Sequence, residues 1–200
     1  ARLLGDARVV GVVLHGIDTE AFTFRAEPDD YVLFLGRFTE GKGVLQAIEV
    51  AKRTGMRLII AAGEDAYYHE HVAPHVDGER IVYFGEADHA AKIELYGGAR
   101  ALLYPIQKPE PFGLVLIEAM ACGTPVAALD KGAVREVVDD GVTGVVFNDL
   151  ERMATELDSV LALDRSAVRE RVATRFGVQR MVDEYIDVYR RLVAVERGFP

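Results

Sequence analysis

Between Tyr31 and Phe147 the sequence alternates short, largely apolar runs with longer mixed ones. The apolar runs are YVLFLG (31–36), MRLIIAAG (56–63), RIVYFG (80–85), ARALLYP (99–105), PVAAL (125–129) and TGVVF (143–147). A strand with one wet face alternates polar and apolar residues, and these do not, so both faces are buried. The intervening runs predict helices over 42–54, 88–96, 113–122 and 132–138, with a weaker one over 66–76. Strands buried on both faces and spaced by helices specify an α/β fold, a Rossmann-like parallel sheet with helices on both faces. Ligands of such sheets bind at the carboxyl ends of the strands. In this chain the glycines and charges that could handle a ligand fall at those ends.

The flanks are simpler. RVVGVVL (8–14) predicts a short buried strand, and the charged stretch 23–30, with Pro28, a linker. Beyond Phe147 the pattern turns helical, giving extra C-terminal helices, with Asp149 and Asp164 as side-chain caps. The last helix, 178–196, carries Val178, Met181, Val182, Tyr185, Ile186, Tyr189, Leu192 and Val193 as one stripe, read as a core-packing face. Segments 1–30, 31–176 and 177–200 are the expected divisions. The first residue, Ala1, stands inside apparent structure, so the chain is read as a piece of a longer protein. The net charge, 23 − 32 = −9, argues against a general nucleic-acid binder or an anionic membrane surface as partner. The single cysteine, Cys122, cannot form an internal disulfide and reads as a small core residue. No apolar run reaches membrane-spanning length, and a cytoplasmic location is expected.

Residues 104–126, YPIQKPEPFGLVLIEAMACGTPV, concentrate the chemistry. Pro105, Pro109 and Pro111 stiffen a loop, and Gly113 opens the helix that follows. The free amides of Gly113, Leu114 and Val115 face whatever lies before that helix, and its dipole favours an anion there. Glu110 and Glu118 flank the junction, and Glu118, inside an apolar run, needs a partner. The first strand ends in FLGRFTEGKG (34–43), which puts Arg37 just past the strand and Lys42 at the next helix. Two cations and a helix N-terminus at one sheet edge suit a diphosphate, with Glu118 accepting from ribose hydroxyls. Gly36 to Gly43 also stands one residue short of a nucleotide-binding P-loop, but Gly43 occupies the position that needs Ser or Thr for Mg²⁺. A P-loop-like protein and a non-enzymatic interaction module, oligomeric through 178–196 or 8–14, are the alternatives.

The run from Glu110 to Val126 closely resembles the E-x7-E motif of retaining GT-B glycosyltransferases, in particular glycosyltransferase family 4. Arg37 and Lys42 match the family's G-R-x-x-x-x-K-G motif, and His15, Gly16, Ile17, Asp18 and Phe22 its segment between the two domains. The resemblance implies the C-terminal, donor-binding half of a GT-B fold. It implies a hexosyltransferase acting with retention on a nucleotide diphosphate sugar, UDP first and GDP second. Arg37 and Lys42 would grip the diphosphate, Glu110 lie by the sugar, Phe112 belong to the donor-binding set, and Gly16 lie near the cleft. The base would sit near Tyr83, Phe84, Gly85 and Glu86, largely on main-chain groups. Glu110, Arg37 and Lys42 are the expected catalytic group, with Glu110 orienting the sugar rather than attacking it. No cofactor is implied, and no metal, because the two cations do the neutralising. The partners implied are the nucleotide sugar and an N-terminal acceptor domain outside this chain, through which any peripheral membrane association would run. The last helix would cross back onto that domain.

His69, His71 and His75 invite a metal reading. Pro74 disturbs the helical spacing of the last two, and no carboxylate follows at a fitting position, so no metal is expected there.

Overall fold

The structure is a computed structural model that describes residues 9–196, with side chains through residue 194. Six strands, β1 (Val32–Leu35), β2 (Leu58–Ala61), β3 (Ile81–Gly85), β4 (Ala101–Tyr104), β5 (Val126–Leu129) and β6 (Gly144–Phe147), make one sheet. Every neighbouring pair is parallel, in the order β3-β2-β1-β4-β5-β6. Val32 of β1 aligns with Leu58 on one side and Ala101 on the other, so β1 and β4 sit at the centre. The order reverses between them, and two crossovers leave that point toward opposite edges. This is where doubly wound sheets open a crevice.

The period of two along each strand divides the interior into two cores. Leu33, Leu35, Leu102, Tyr104, Val126 and Ala128 face one side. There they pack against α2 (His89–Gly98), α3 (Leu114–Ala121), α4 (Val134–Val137) and α7 (Arg165–Phe176). Val32, Phe34, Ala101, Leu103, Ala127 and Leu129 face the other. Their cover is α1 (Val44–Thr54), α5 (Leu150–Thr155) and α6 (Leu157–Leu161), with the segment Tyr68–Val72. That segment is a π-helical turn followed by a 3₁₀ turn at Ala73–His75, and Pro74 stops it from continuing as a helix. Asp149 and Asp164 cap α5 and α7 as expected, accepting from the Arg152 amide and from the Ser166 and Ala167 amides. Asp88 does the same for α2, accepting from the Ala91 amide. Cys122 is buried and unbridged, and burial pushes its thiol up to about 12.

Two expectations fail. No strand forms over residues 9–14, and Arg8 lies outside the described residues. Val9, Val10 and Val12 are exposed, and the segment runs beside α8 (Val178–Glu196), where Gly11 approaches Val188. An apolar run becomes a strand only beside a partner strand, and none is offered to it among the described residues. The apolar stripe of α8 is also not core. Val178, Val182, Tyr185, Ile186, Tyr189, Leu192 and Val193 are each between 38% and 60% exposed. Periodicity identifies an apolar face but not what covers it. No helix among the described residues is long and apolar enough to cross a membrane.

Candidate functional site

The loops after β1 and β4 meet at the centre of the sheet. Gly43, at a φ of +80°, separates a 3₁₀ turn (Glu40–Lys42) from α1. A methyl group there would stand 2.0 Å from the Pro105 carbonyl oxygen, so only glycine lets the two loops close together. The Gln107 amide donates to the Gly41 carbonyl at 2.9 Å, lacing them further. Across this seam Lys42 Nζ donates to the Glu110 carboxylate, and each side chain is only about a quarter exposed. The backbone of Glu110 is braced from below by the turn after β5. Ala133 donates its amide to the Glu110 carbonyl at 3.0 Å, and a methyl on Gly132 would meet that carbonyl at 2.4 Å. Arg37 stands beside the pair, exposed and free of any ion pair with a described residue.

Helix α3 points its first turn at this seam. Gly113 is its N-cap at a φ of +90°, and no side chain caps the helix. The unused amides are therefore available to an anion. Glu118, one turn in, is half-buried, and Tyr96 supplies the partner its apolar run requires: the phenol donates to Oε2 at 2.8 Å. Burial first, then the Glu118 charge, holds the Tyr96 phenol well above its ordinary range, so it remains a donor. Beneath Gly113 lies the hydroxyl of Tyr104, buried and without a partner. Burial, with Glu110 adding to it, raises the Tyr104 phenol as well.

A cleft of about 350 Å³ runs from this seam along the ends of β2 and β3. Arg37, Lys42, Gly63, Glu86, Lys92 and Val115 line it. A larger groove of about 400 Å³ lies on the outer side of α1, beside Leu45, Glu49, Lys52, Arg53 and His75, and takes in none of the residues at the start of α3.

Of the residues singled out in the sequence, Arg37, Lys42 and Val115 line the cleft itself. Glu110, Gly113 and Glu118 are tied to it by the contacts above. Leu114 is exposed at the same helix end. Gly85, at a φ of +99°, turns the chain at the end of β3 beside the cleft residue Glu86, and Phe84 is half-exposed there. Others serve packing. Tyr83 packs with Phe38 and Tyr68 and donates its hydroxyl to the Ala62 carbonyl. Phe112 is buried edge-on against His15 and Phe176. Gly16 lies against the start of α8, where a methyl would stand 2.8 Å from the Gly177 carbonyl oxygen. Lys92, Tyr96 and Tyr104 went unread in the sequence; the sole signal for the first two is that Asp88, Lys92 and Tyr96 share a helical face at spacings of four.

The loop from Gly36 to Gly43 does not form a phosphate cradle. The Lys42 and Gly43 amides are spent on the Thr39 and Glu40 carbonyls, and Gly43 abuts Pro105. His69, His71 and His75 diverge toward Glu64, Tyr67 and Lys52 respectively. No group of three potential metal ligands occurs among the described residues.

Comparison with known proteins agrees with this fold. Residues 18–175 match the family model described as glycosyl transferases group 1. Alpha-maltose-1-phosphate synthase of Mycolicibacterium smegmatis is 32% identical over 94% of this chain and 58% of its own length. Phosphatidyl-myo-inositol mannosyltransferase of Mycobacterium tuberculosis is 31% identical over 78% of this chain and 46% of its own. The solved sucrose-phosphate synthase of Thermosynechococcus elongatus superposes with a TM-score of 0.82 at 26% identity, covering 97% of this chain and 55% of that one. The chain thus spans about half the length of the relatives it matches. The sheet and its two helical layers are those of the Rossmann-like C-terminal domain of a GT-B fold, and the chain belongs to the group 1 glycosyl transferases.

Proposed function

We propose that this chain is the donor-binding domain of a retaining, family 4 glycosyltransferase acting in the cytoplasm. It would take a hexosyl group from a nucleotide diphosphate sugar and pass it to an acceptor held by a domain outside this chain. One observation carries the reading: Arg37, Lys42 and the uncapped N-terminus of α3 converge on the switch point of the sheet, between Glu110 and Glu118. The diphosphate is the leaving group, and its charge grows as the bond to the sugar breaks. Cations and amides aimed at it lower the barrier, with no metal required. Lys42 then exchanges part of its hold on Glu110 for the diphosphate, and the released carboxylate orients sugar hydroxyls. Glu118, fixed by Tyr96, accepts from the ribose. The exposed stripe of α8 would dock on the acceptor domain.

Alanine variants test this. Arg37→Ala and Lys42→Ala, each removing a charge-assisted contact of about 1.5–3 kcal/mol, should weaken nucleoside diphosphate binding roughly tenfold or more each. Glu118→Ala should also weaken it. Calorimetric titration with GDP and UDP reads the effect, with circular dichroism checking the fold. Folded variants with wild-type affinity would sink the proposal, and binding that requires Mg²⁺ and a triphosphate would favour the P-loop reading.

A further inference from the structure

Two opposite charges line the cleft: Glu86, which the resemblance places near the base largely through main-chain groups, and Lys92, which has no role so far. Glu86 follows the turn at Gly85, and its carboxylate leans over the end of β2. A methyl built on Gly63 would stand 3.6 Å from Glu86 Oε2. Lys92, half-buried in the first turn of α2, stands four residues before Tyr96, the residue that holds Glu118. Neither charge is paired with the other or with another side chain among the described residues, although both border the same cleft. An acid and a base from two different segments thus line one space without pairing.

We propose that Glu86 and Lys92 read the base of the donor and select guanine. This rests on the donor reading above, which fixes the diphosphate between Arg37, Lys42 and α3. The base then falls toward the ends of β2 and β3, where Glu86 and Lys92 stand. Guanine presents O6, N1–H and the N2 amino group side by side, an acceptor followed by two adjacent donors. A carboxylate takes the two donors in a bidentate grip, and an ammonium donates to O6. Uracil offers a single N3–H between two carbonyls, so the second carboxylate oxygen would face a lone pair. Adenine sets an acceptor nitrogen beside its amino group and meets the same conflict. Unmatched polar groups discriminate more sharply than size does. The uracil expectation came from the frequency of UDP-sugars among resembled enzymes, and the side chains of this cleft run against it.

The test is calorimetric titration of the chain with GDP, UDP and ADP in metal-free buffer. GDP should bind at least about tenfold more tightly than the other two. Glu86→Ala and Lys92→Met should each narrow the GDP-to-UDP ratio while UDP still binds, which shows that the diphosphate grip and the fold survive. UDP or ADP binding as tightly as GDP, or a ratio unmoved by both variants, overturns the guanine assignment and leaves the donor reading standing. No binding of any diphosphate overturns both.

Discussion

Lys42 and Glu110 show how single residues connect fold and chemistry. Their ion pair spans two loops that are far apart in sequence and are brought together by strand order alone. In the proposed donor site it would hold the carboxylate beside the sugar and keep the ammonium within reach of the diphosphate. The approach of the loops depends on Gly43. Gly43→Ala sets a side chain at positive φ against a carbonyl oxygen, and should cost about 3 kcal/mol or more in denaturant unfolding. It should also weaken diphosphate binding by displacing Lys42. The roles of Arg37, Lys42 and Glu118 could be proposed from the sequence because glycines, cations and carboxylates cluster beside strand ends, and that of Glu110 came from the resemblance. Lys92, Tyr96 and Tyr104 could not, because no local rule says which side chains meet across separate elements. The resemblance located the segment after β3 but did not separate Tyr83, which packs inward, from Glu86, which faces the cleft.

Among the elements, α7 supports the site from behind. Arg165, in its first turn, donates to the carbonyls of Arg25, Gly97 and Ala99 and to the Thr124 hydroxyl. Thr124 in turn donates to the Tyr96 carbonyl. One guanidinium therefore fastens the linker and the end of α2, the helix that holds Tyr96 against Glu118. It has no carboxylate partner in this set, and burial lowers its pKa. Arg165→Met removes four hydrogen bonds and leaves their buried acceptors unsatisfied. A loss of about 3 kcal/mol in denaturant unfolding is expected, with weaker diphosphate binding in the protein that remains folded. Strands and helix starts were legible because each obeys a local rule: two-faced apolar runs for the strands, Asp149 and Asp164 for the caps. The failed strand at 9–14 has the same cause in reverse, since its residues satisfy the local rule and lack the neighbour.

At the scale of the whole molecule, the chain holds two complete cores around its sheet and one unfinished surface on α8. Tyr185, Ile186, Tyr189 and Leu192 are exposed here, whereas Val168 and Val172 of α7 are buried. Ile186→Lys and Leu192→Lys should therefore change the stability of this chain by less than about 0.5 kcal/mol each. A large loss on unfolding would mean that the stripe packs within the chain after all. The sequence displayed this stripe plainly but could not say whether its cover lies inside or outside these 200 residues.

The most direct test of a donor site at the switch point is a backbone amide NMR titration of this 22.0 kDa chain with GDP, with metal chelated. Saturable shifts confined to residues 36–43, 61–63, 85–92 and 110–118, which surround the cleft and the Lys42–Glu110 pair, are expected. Shifts centred elsewhere, or none at saturating nucleotide, would contradict the donor site.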